Sequence, residues 1–321
     1  MAAIDCGTNS IRLLIADRDA KGHLEDVVRQ MRVVRLGQDV DKTGAFAPEA
    51  LDRTFAAAEE YARLIQENPS PSADGGLSAL GPADIRFVGT SASRDARNRE
   101  VFVDGIRERL GVAVEVISGD EEAALSFAGA ASVLPPRGKD LTLVVDLGGG
   151  STEFVLGDDD GVQAARSVDI GCVRLTERHL RSDPPTATEI SAAEADINAA
   201  IDLALETVPL GRASAVVGVA GSITTITAHA LGLERYDSDR IHGSRLGLGE
   251  LRAACDSLLA MSRQERAGLG FMHPGRVDVI GAGALVWRTV LSRLEELSGG
   301  SLREAVTSEH DILDGIALSI E

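Results

Sequence analysis

Apolar residues run from Ala2 to Ile4, stop at Asp5 and a glycine-containing turn, and resume from Ile11 to Ala16, which predicts a β-hairpin. Val27–Leu36 reads as a further strand. From Pro48 to Asn68 the spacing becomes helical. Leu51, Phe55, Ala58, Ala62 and Ile65 make one apolar stripe, with Pro48 in the first turn. Pro69–Asp84 is rich in Pro, Ser, Gly and Ala and predicts a loop or insertion. A strand at Ile85–Val88, a helix at Glu100–Leu110 and a strand at Ala113–Ile117 follow, and Ser118 opens an alanine-rich helix. Alternating strands and helices predict an α/β fold.

After Leu141 the pattern begins again. "IDCGTNSIRLLIAD" (Ile4–Asp17) aligns with "VDLGGGSTEFVLGD" (Val145–Asp158), which sets Asp5 on Asp146, Gly7 on Gly148, Ser10 on Ser151 and Asp17 on Asp158. A weaker echo sets "VGTSASR" (Val88–Arg94) against "AGSITTI" (Ala220–Ile226), and the echoes keep their order in each half. This repetition predicts two related domains, 1–125 and 126–321, facing each other across a cleft.

Glycines let a backbone approach a ligand closely, and successive amides in such a turn form an anion site. The expected phosphate contacts are Gly7, Thr8, Asn9, Ser10 and Arg12 in the first half. In the second they are Gly148, Gly149, Gly150, Ser151 and Thr152, with Gly221 and Ser222 from the second echo. An acid beside a phosphate turn makes sense if it holds Mg²⁺ or orients a water, so Asp146, Asp5 and Glu153 are the expected metal ligands. The plainer reading of either turn alone is an ordinary Asp-Gly hairpin. At one matched position the halves differ, with Arg12 in the first and Glu153 in the second. The expectation is that Arg12 contacts phosphate and Glu153 supports water or metal.

Composition narrows the field. With 321 residues, 44% of them hydrophobic, the chain can bury a large core. A net charge of −18 argues against broad binding to nucleic acid or anionic membrane. Three scattered cysteines, Cys6, Cys172 and Cys255, suit a reducing cytoplasm, and neither a signal peptide nor a long apolar run is evident. Cys6 reads as a small core residue. Arg86, Arg94, Arg97, Arg99, Arg107 and Arg109 form either a track for a polyanion or a solvated face of mixed charge, and Arg174, Arg178 and Arg181 pose the same alternative.

Together, "AAIDCGTNSIRLLIAD", "VGTSASRDARN", "VISGDEEA", "VVDLGGGSTEF", "SVDIGCVRLTE", "GVAGSITT", "HPGRVDVIGAGALV" and "EHDILDG" resemble the exopolyphosphatase/guanosine pentaphosphatase (Ppx/GppA) family, in its short two-domain form. The resemblance implies two duplicated actin-like, ribonuclease H-like domains and a cytoplasmic homodimer. It implies Mg²⁺-assisted hydrolysis of a terminal phosphoanhydride, with Glu122 as the catalytic carboxylate. Local spacing separates Glu122 from its neighbour, because Ser118 and Glu121 have the spacing of a capping box and Glu122 lies further around the helix. Arg94 and Glu153 complete the expected catalytic set. Inorganic polyphosphate is the expected substrate. Guanosine pentaphosphate (pppGpp), or a sensing role without turnover, is the alternative.

Overall fold

Strand Ala2–Cys6 (β1) is buried along its whole length because it is paired on both edges and covered on both faces. The computed structural model describes residues 1–19, 24–71, 77–135 and 137–320. β1 runs antiparallel to Ser10–Arg18 (β2), which in turn pairs antiparallel with Leu24–Val33 (β3). β3 ends three residues before the predicted Leu36. The N–H groups of Val34 and Arg35 leave the sheet and donate to the Asn9 carbonyl at 3.1 and 2.9 Å.

Short helix Val40–Thr43 (α1) precedes Pro48–Glu67 (α2), whose apolar stripe Leu51, Ala58, Tyr61 and Ile65 packs into the first core. The expected loop at 69–84 contains a two-strand ribbon, Ser70–Pro71 (β4) with Leu77–Ser78 (β5). Residues 72–76 of that expectation lie outside the described residues. Ile85–Gly89 (β6) adds to β1 in parallel. After Ser91–Asp95 (α3) and Arg99–Leu110 (α4), Val114–Val116 (β7) adds to β6, and Gly119–Ala130 (α5) follows. The sheet order is β3-β2-β1-β6-β7.

The second sheet repeats that order and adds one strand at its edge. Thr142–Leu147 (β8), Thr152–Asp158 (β9) and Gly161–Val168 (β10) form an antiparallel meander. Cys172–Arg178 (α6) and Ala187–Leu205 (α7) lead to Ala215–Val219 (β11), parallel to β8. Then come Ala220–Ala230 (α8), Ser238–Ile241 (α9), Arg245–Gly247 (β12), Leu248–Ala260 (α10), Arg263–Ala267 (α11), Ile280–Leu297 (α12) and Glu304–Thr307 (β13). The order is β10-β9-β8-β11-β13-β12. In both sheets a meander's first strand takes a parallel neighbour, so the two halves share one duplicated α/β arrangement. The second core is aliphatic around a single fully buried indole, Trp287.

The chain divides into two compact units, Met1–Gly129 with the segment from Ile312 onward, and Ala130–Asp311. The sequence boundary of 125/126 gave the last residues to the second half, whereas Ile312–Leu318 (α13) packs with the first unit. Ile312, Leu313, Ile316 and Ala317 share a cluster with Ala3, Leu14, Val88 and Leu125. Gly315 permits this, since a Cβ there would lie 1.9 Å from the Leu125 carbonyl oxygen.

Candidate active site

Both glycine-rich turns close with the same hydrogen bond. Gly7 N donates to Ser10 O at 3.0 Å, and Gly148 N donates to Ser151 O at 3.0 Å. In the second turn the carbonyls are taken by α6. Cys172 N donates to Gly148 O at 3.0 Å, and Val173 N and Arg174 N donate to Gly149 O at 2.9 and 3.2 Å. Arg174 Nε donates to Gly150 O at 2.8 Å. In a trans peptide the carbonyl and the following N–H point in opposite directions. The amides of Gly149, Gly150 and Ser151 therefore face away from α6 together, as an anion nest requires. Gly171 makes the seat: a Cβ there would lie 2.2 Å from the Gly149 carbonyl carbon and oxygen and 2.4 Å from Gly150 N.

The first turn is seated differently. Its Asn9 carbonyl is held by Val34 and Arg35, and Gly37 N donates to Thr8 O at 2.9 Å. Arg35 adopts φ 52°, a conformation most side chains avoid. Thr8 Oγ1 lies 3.1 Å from Ser91 Oγ, which joins the turn to the start of α3. Asn9 Oδ1 is buried and has no hydrogen-bond partner among the described residues.

α3 carries Arg94, and α5 carries Glu122. Arg94 Nη1 donates to Glu122 Oε2 at 2.7 Å and to the Ile117 carbonyl at 3.0 Å. Glu122 is 7% exposed. Glu121 behaves otherwise. Its amide is capped by Ser118 Oγ at 3.1 Å, but its carboxylate pairs with Arg86 at 2.8 Å instead of returning to its own helix start. Thr8, Ser91, Arg94 and Glu122 thus form one connected wall within the first unit.

At the divergent position the two hairpins reverse their chemistry. Asp5 and Arg12 are cross-strand partners, and Arg12 holds Asp5 through Nε at 2.9 Å and Nη2 at 2.6 Å. The matched pair, Asp146 and Glu153, sets one carboxylate opposite another, 6% and 1% exposed. Ser167 donates to Glu153 Oε1 at 2.6 Å. Among the described residues, no group of three or more His, Cys, Asp and Glu could hold a metal ion. Two carboxylates still suit Mg²⁺, a hard cation that keeps several waters and takes substrate phosphate as ligand.

The second echo also lies at the ends of parallel strands, where open α/β sheets place their ligands. Thr90 and Ser91 follow β6, and Ala220 to Ser222 begin α8 after β11. Ala220 has φ 69°. The Arg276 guanidinium lies on Gly221, where a Cβ would come within 1.9 Å of it. Ser222 is buried, and its side chain packs with Cys172 against Gly283.

Several sequence expectations resolve into packing. Burial, and secondarily the Asp5 charge, pushes the Cys6 thiol well up, so it is no nucleophile. Cys172 and Cys255 are likewise buried and free. Among the α4-region arginines, Arg99 pairs with Glu100, Arg107 with Asp104, and Arg109 with Glu59 while lying over the Phe55 ring. They form a solvated face of mixed charge. Arg178 pairs with Asp196, and of its group Arg174 is the one that reaches a turn. Apart from those expectations, the start of α12 is close helix packing, with Gly281 against the buried Arg266 guanidinium and Gly283 against Ser222. Sequence reasoning assigned no role to Ser167, Gly171 or Arg276, although "SVDIGCVRLTE" and "HPGRVDVIGAGALV" contain them, because their partners are 14, 22 and 55 residues away in sequence.

The chain is similar to known proteins over its whole length. It is 49% identical to exopolyphosphatase 2 of Mycobacterium tuberculosis (strain ATCC 25618 / H37Rv), covering 100% of this chain and 98% of that protein. It is 28% identical to a guanosine-5'-triphosphate,3'-diphosphate pyrophosphatase of Vibrio atlanticus, covering 96% of this chain and 58% of that one. The crystal structure of an exopolyphosphatase-like protein superposes with a TM-score of 0.91 at 50% identity, covering 99% and 96% of the two chains. A profile of the Ppx/GppA phosphatase family matches residues 14–314, and with the turns, the Glu122 wall and the repeated sheet order in place, the chain belongs to that family.

Proposed function

We propose that this protein is an exopolyphosphatase, which hydrolyses the terminal phosphoanhydride of inorganic polyphosphate and releases orthophosphate. The observation that carries the reading is full-length similarity, 49% identical, to a protein named exopolyphosphatase 2. The site's chemistry is consistent with it. Glu122 is the base that takes a proton from the attacking water, and Arg94 fixes its carboxylate. The water oxygen bonds to the terminal phosphorus as the bridging P–O bond breaks. The polymer leaves one unit shorter.

In the second unit the amides of Gly149, Gly150 and Ser151 and the Ser151 hydroxyl are the groups for phosphoryl oxygens, and in the first unit the hydroxyls of Thr8 and Ser10 are. Asp146 and Glu153 would hold Mg²⁺, which when bound offsets the negative charge of the phosphoryl oxygens. Asp5 is a poorer ligand, since Arg12 already neutralises it. A cytoplasmic homodimer belongs to the same reading. Free buried cysteines support a reducing compartment, and light scattering tests the dimer.

The similarity to a Vibrio pyrophosphatase over 96% of this chain supports a second reading, removal of the terminal phosphate of pppGpp by the same groups. Phosphate release from long polyphosphate, pppGpp and ATP, each with Mg²⁺, separates the two. Polyphosphate is expected to be the best substrate, with activity lost in Glu122→Gln. Release mainly from pppGpp would move the protein to the second reading. Binding without release from any of them would defeat both.

A further inference from the structure

Each hairpin sheet carries a row of three cross-strand partners on one face. In the first unit the row is Asp5, Arg12 and Met31. In the second it is Asp146, Glu153 and Ser167. The first row neutralises itself through the Asp5–Arg12 pair. The second places two buried acids side by side and ends in a hydroxyl. A carboxylate that is 1% exposed requires hydrogen-bond partners, and the one supplied by Ser167 also fixes how Glu153 is oriented beside Asp146. Resting on the reading of Asp146 and Glu153 as the cation ledge, we propose that Ser167 is a positioning residue that fixes the Glu153 carboxylate for the cation.

The geometry is specific. Ser167 Oγ donates to Glu153 Oε1 at 2.6 Å, a short bond of the charge-assisted kind. A carboxylate with one oxygen fastened loses rotation about its terminal torsion, so less freedom is lost on binding a cation. Strand β10 also ties this ledge to the nest. Two residues beyond its end, the Ile170 carbonyl accepts from Thr152 Oγ1 at 2.5 Å, and the next residue is Gly171, the seat of the glycine turn. A shift of β10 therefore moves the acid ledge and the phosphate amides together. In the first unit Met31 occupies the matched place, and a thioether cannot donate such a bond.

The test uses the full chain and three variants, Ser167→Ala, Ser167→Thr and Glu153→Gln. Direct Mn²⁺ binding without substrate is followed by electron paramagnetic resonance, and Mg²⁺ half-saturation of phosphate release is measured alongside. Ser167→Ala is expected to weaken both by roughly 10–100-fold, the usual effect of removing a partner that orients a ligand. The loss in half-saturation should exceed the loss in kcat. Ser167→Thr, which keeps the hydroxyl, should recover most of it, and Glu153→Gln should lose Mn²⁺ binding. Unchanged Mn²⁺ binding and half-saturation in Ser167→Ala, with binding lost in Glu153→Gln, would overturn the role of Ser167 and leave the ledge standing. Wild-type Mn²⁺ binding by Glu153→Gln would overturn the ledge itself, and the role of Ser167 with it.

Discussion

Arg94 Nη1 lies 2.7 Å from Glu122 Oε2 and 3.0 Å from the Ile117 carbonyl, so one guanidinium nitrogen ties the proposed base to the strand-to-helix connection before it. Groups in direct contact do not act independently. A double-mutant cycle of Arg94→Ala and Glu122→Gln should show strong coupling in kcat/KM. Glu122→Gln alone should lower kcat by roughly 10²–10⁴-fold, the range for a general base. Adding Arg94→Ala should cost much less than it does in the wild-type background. Simple addition of the two losses would separate Arg94 from the base.

Gly171→Ala should be costly. The new Cβ would lie 2.2 Å from the Gly149 carbonyl and 2.4 Å from Gly150 N, and backbone atoms cannot move aside as a flexible side chain can. A loss of ~1–3 kcal/mol in denaturant unfolding is expected from overpacking, together with a raised KM as the nest shifts. A variant with wild-type KM would mean that the turn is not seated by this contact.

Gly249→Ala should have the opposite sign. Gly249 is exposed on α10, has nothing within 4 Å of the place a methyl group would take, and does not need a positive φ. Alanine restricts the unfolded chain without strain in the fold, so a gain of about 0.4–1 kcal/mol is expected in the same unfolding experiment, with activity retained. A loss of stability would contradict the open surroundings of that position.

Glu189 gives a pH prediction. Backbone amides hold its carboxylate down at about 2, that of Thr186 first, then those of Ser182 and Arg181, with the Thr186 hydroxyl also donating. A depressed carboxylate contributes stability that is present above its unfolded value near 4.5 and is lost as pH falls toward 2. Glu189→Gln should therefore have a lower denaturation midpoint than wild type at pH 6. The two midpoints should converge as pH is lowered through 4 to 3. A gap independent of pH would assign the effect to geometry rather than charge.

Local pattern alone determined a good deal of this protein. The hairpin at Ala2–Ala16, the α2 stripe and the repeat of Asp5-x-Gly7 as Asp146-x-Gly148 are periodicities of neighbouring residues, and local sterics and burial enforce them. The duplicated sheet order follows from that repeat. The two glycine-rich turns were equally legible, because glycine and hydroxyl residues seldom recur at matched places by chance.

Tertiary structure decided what those elements touch. That Arg12 neutralises Asp5 while Glu153 confronts Asp146 depends on cross-strand register. That Glu121 turns to Arg86 while Glu122 turns to Arg94 depends on which strand and helix lie beside α5. The last helix could not be assigned from sequence either. Packing of Ile312, Leu313, Ile316 and Ala317 with Ala3, Leu14 and Val88, and of Gly315 on Leu125, places α13 in the first unit. Hydrophobic pattern specifies that a face is buried, and the partner that buries it is a property of the assembled fold.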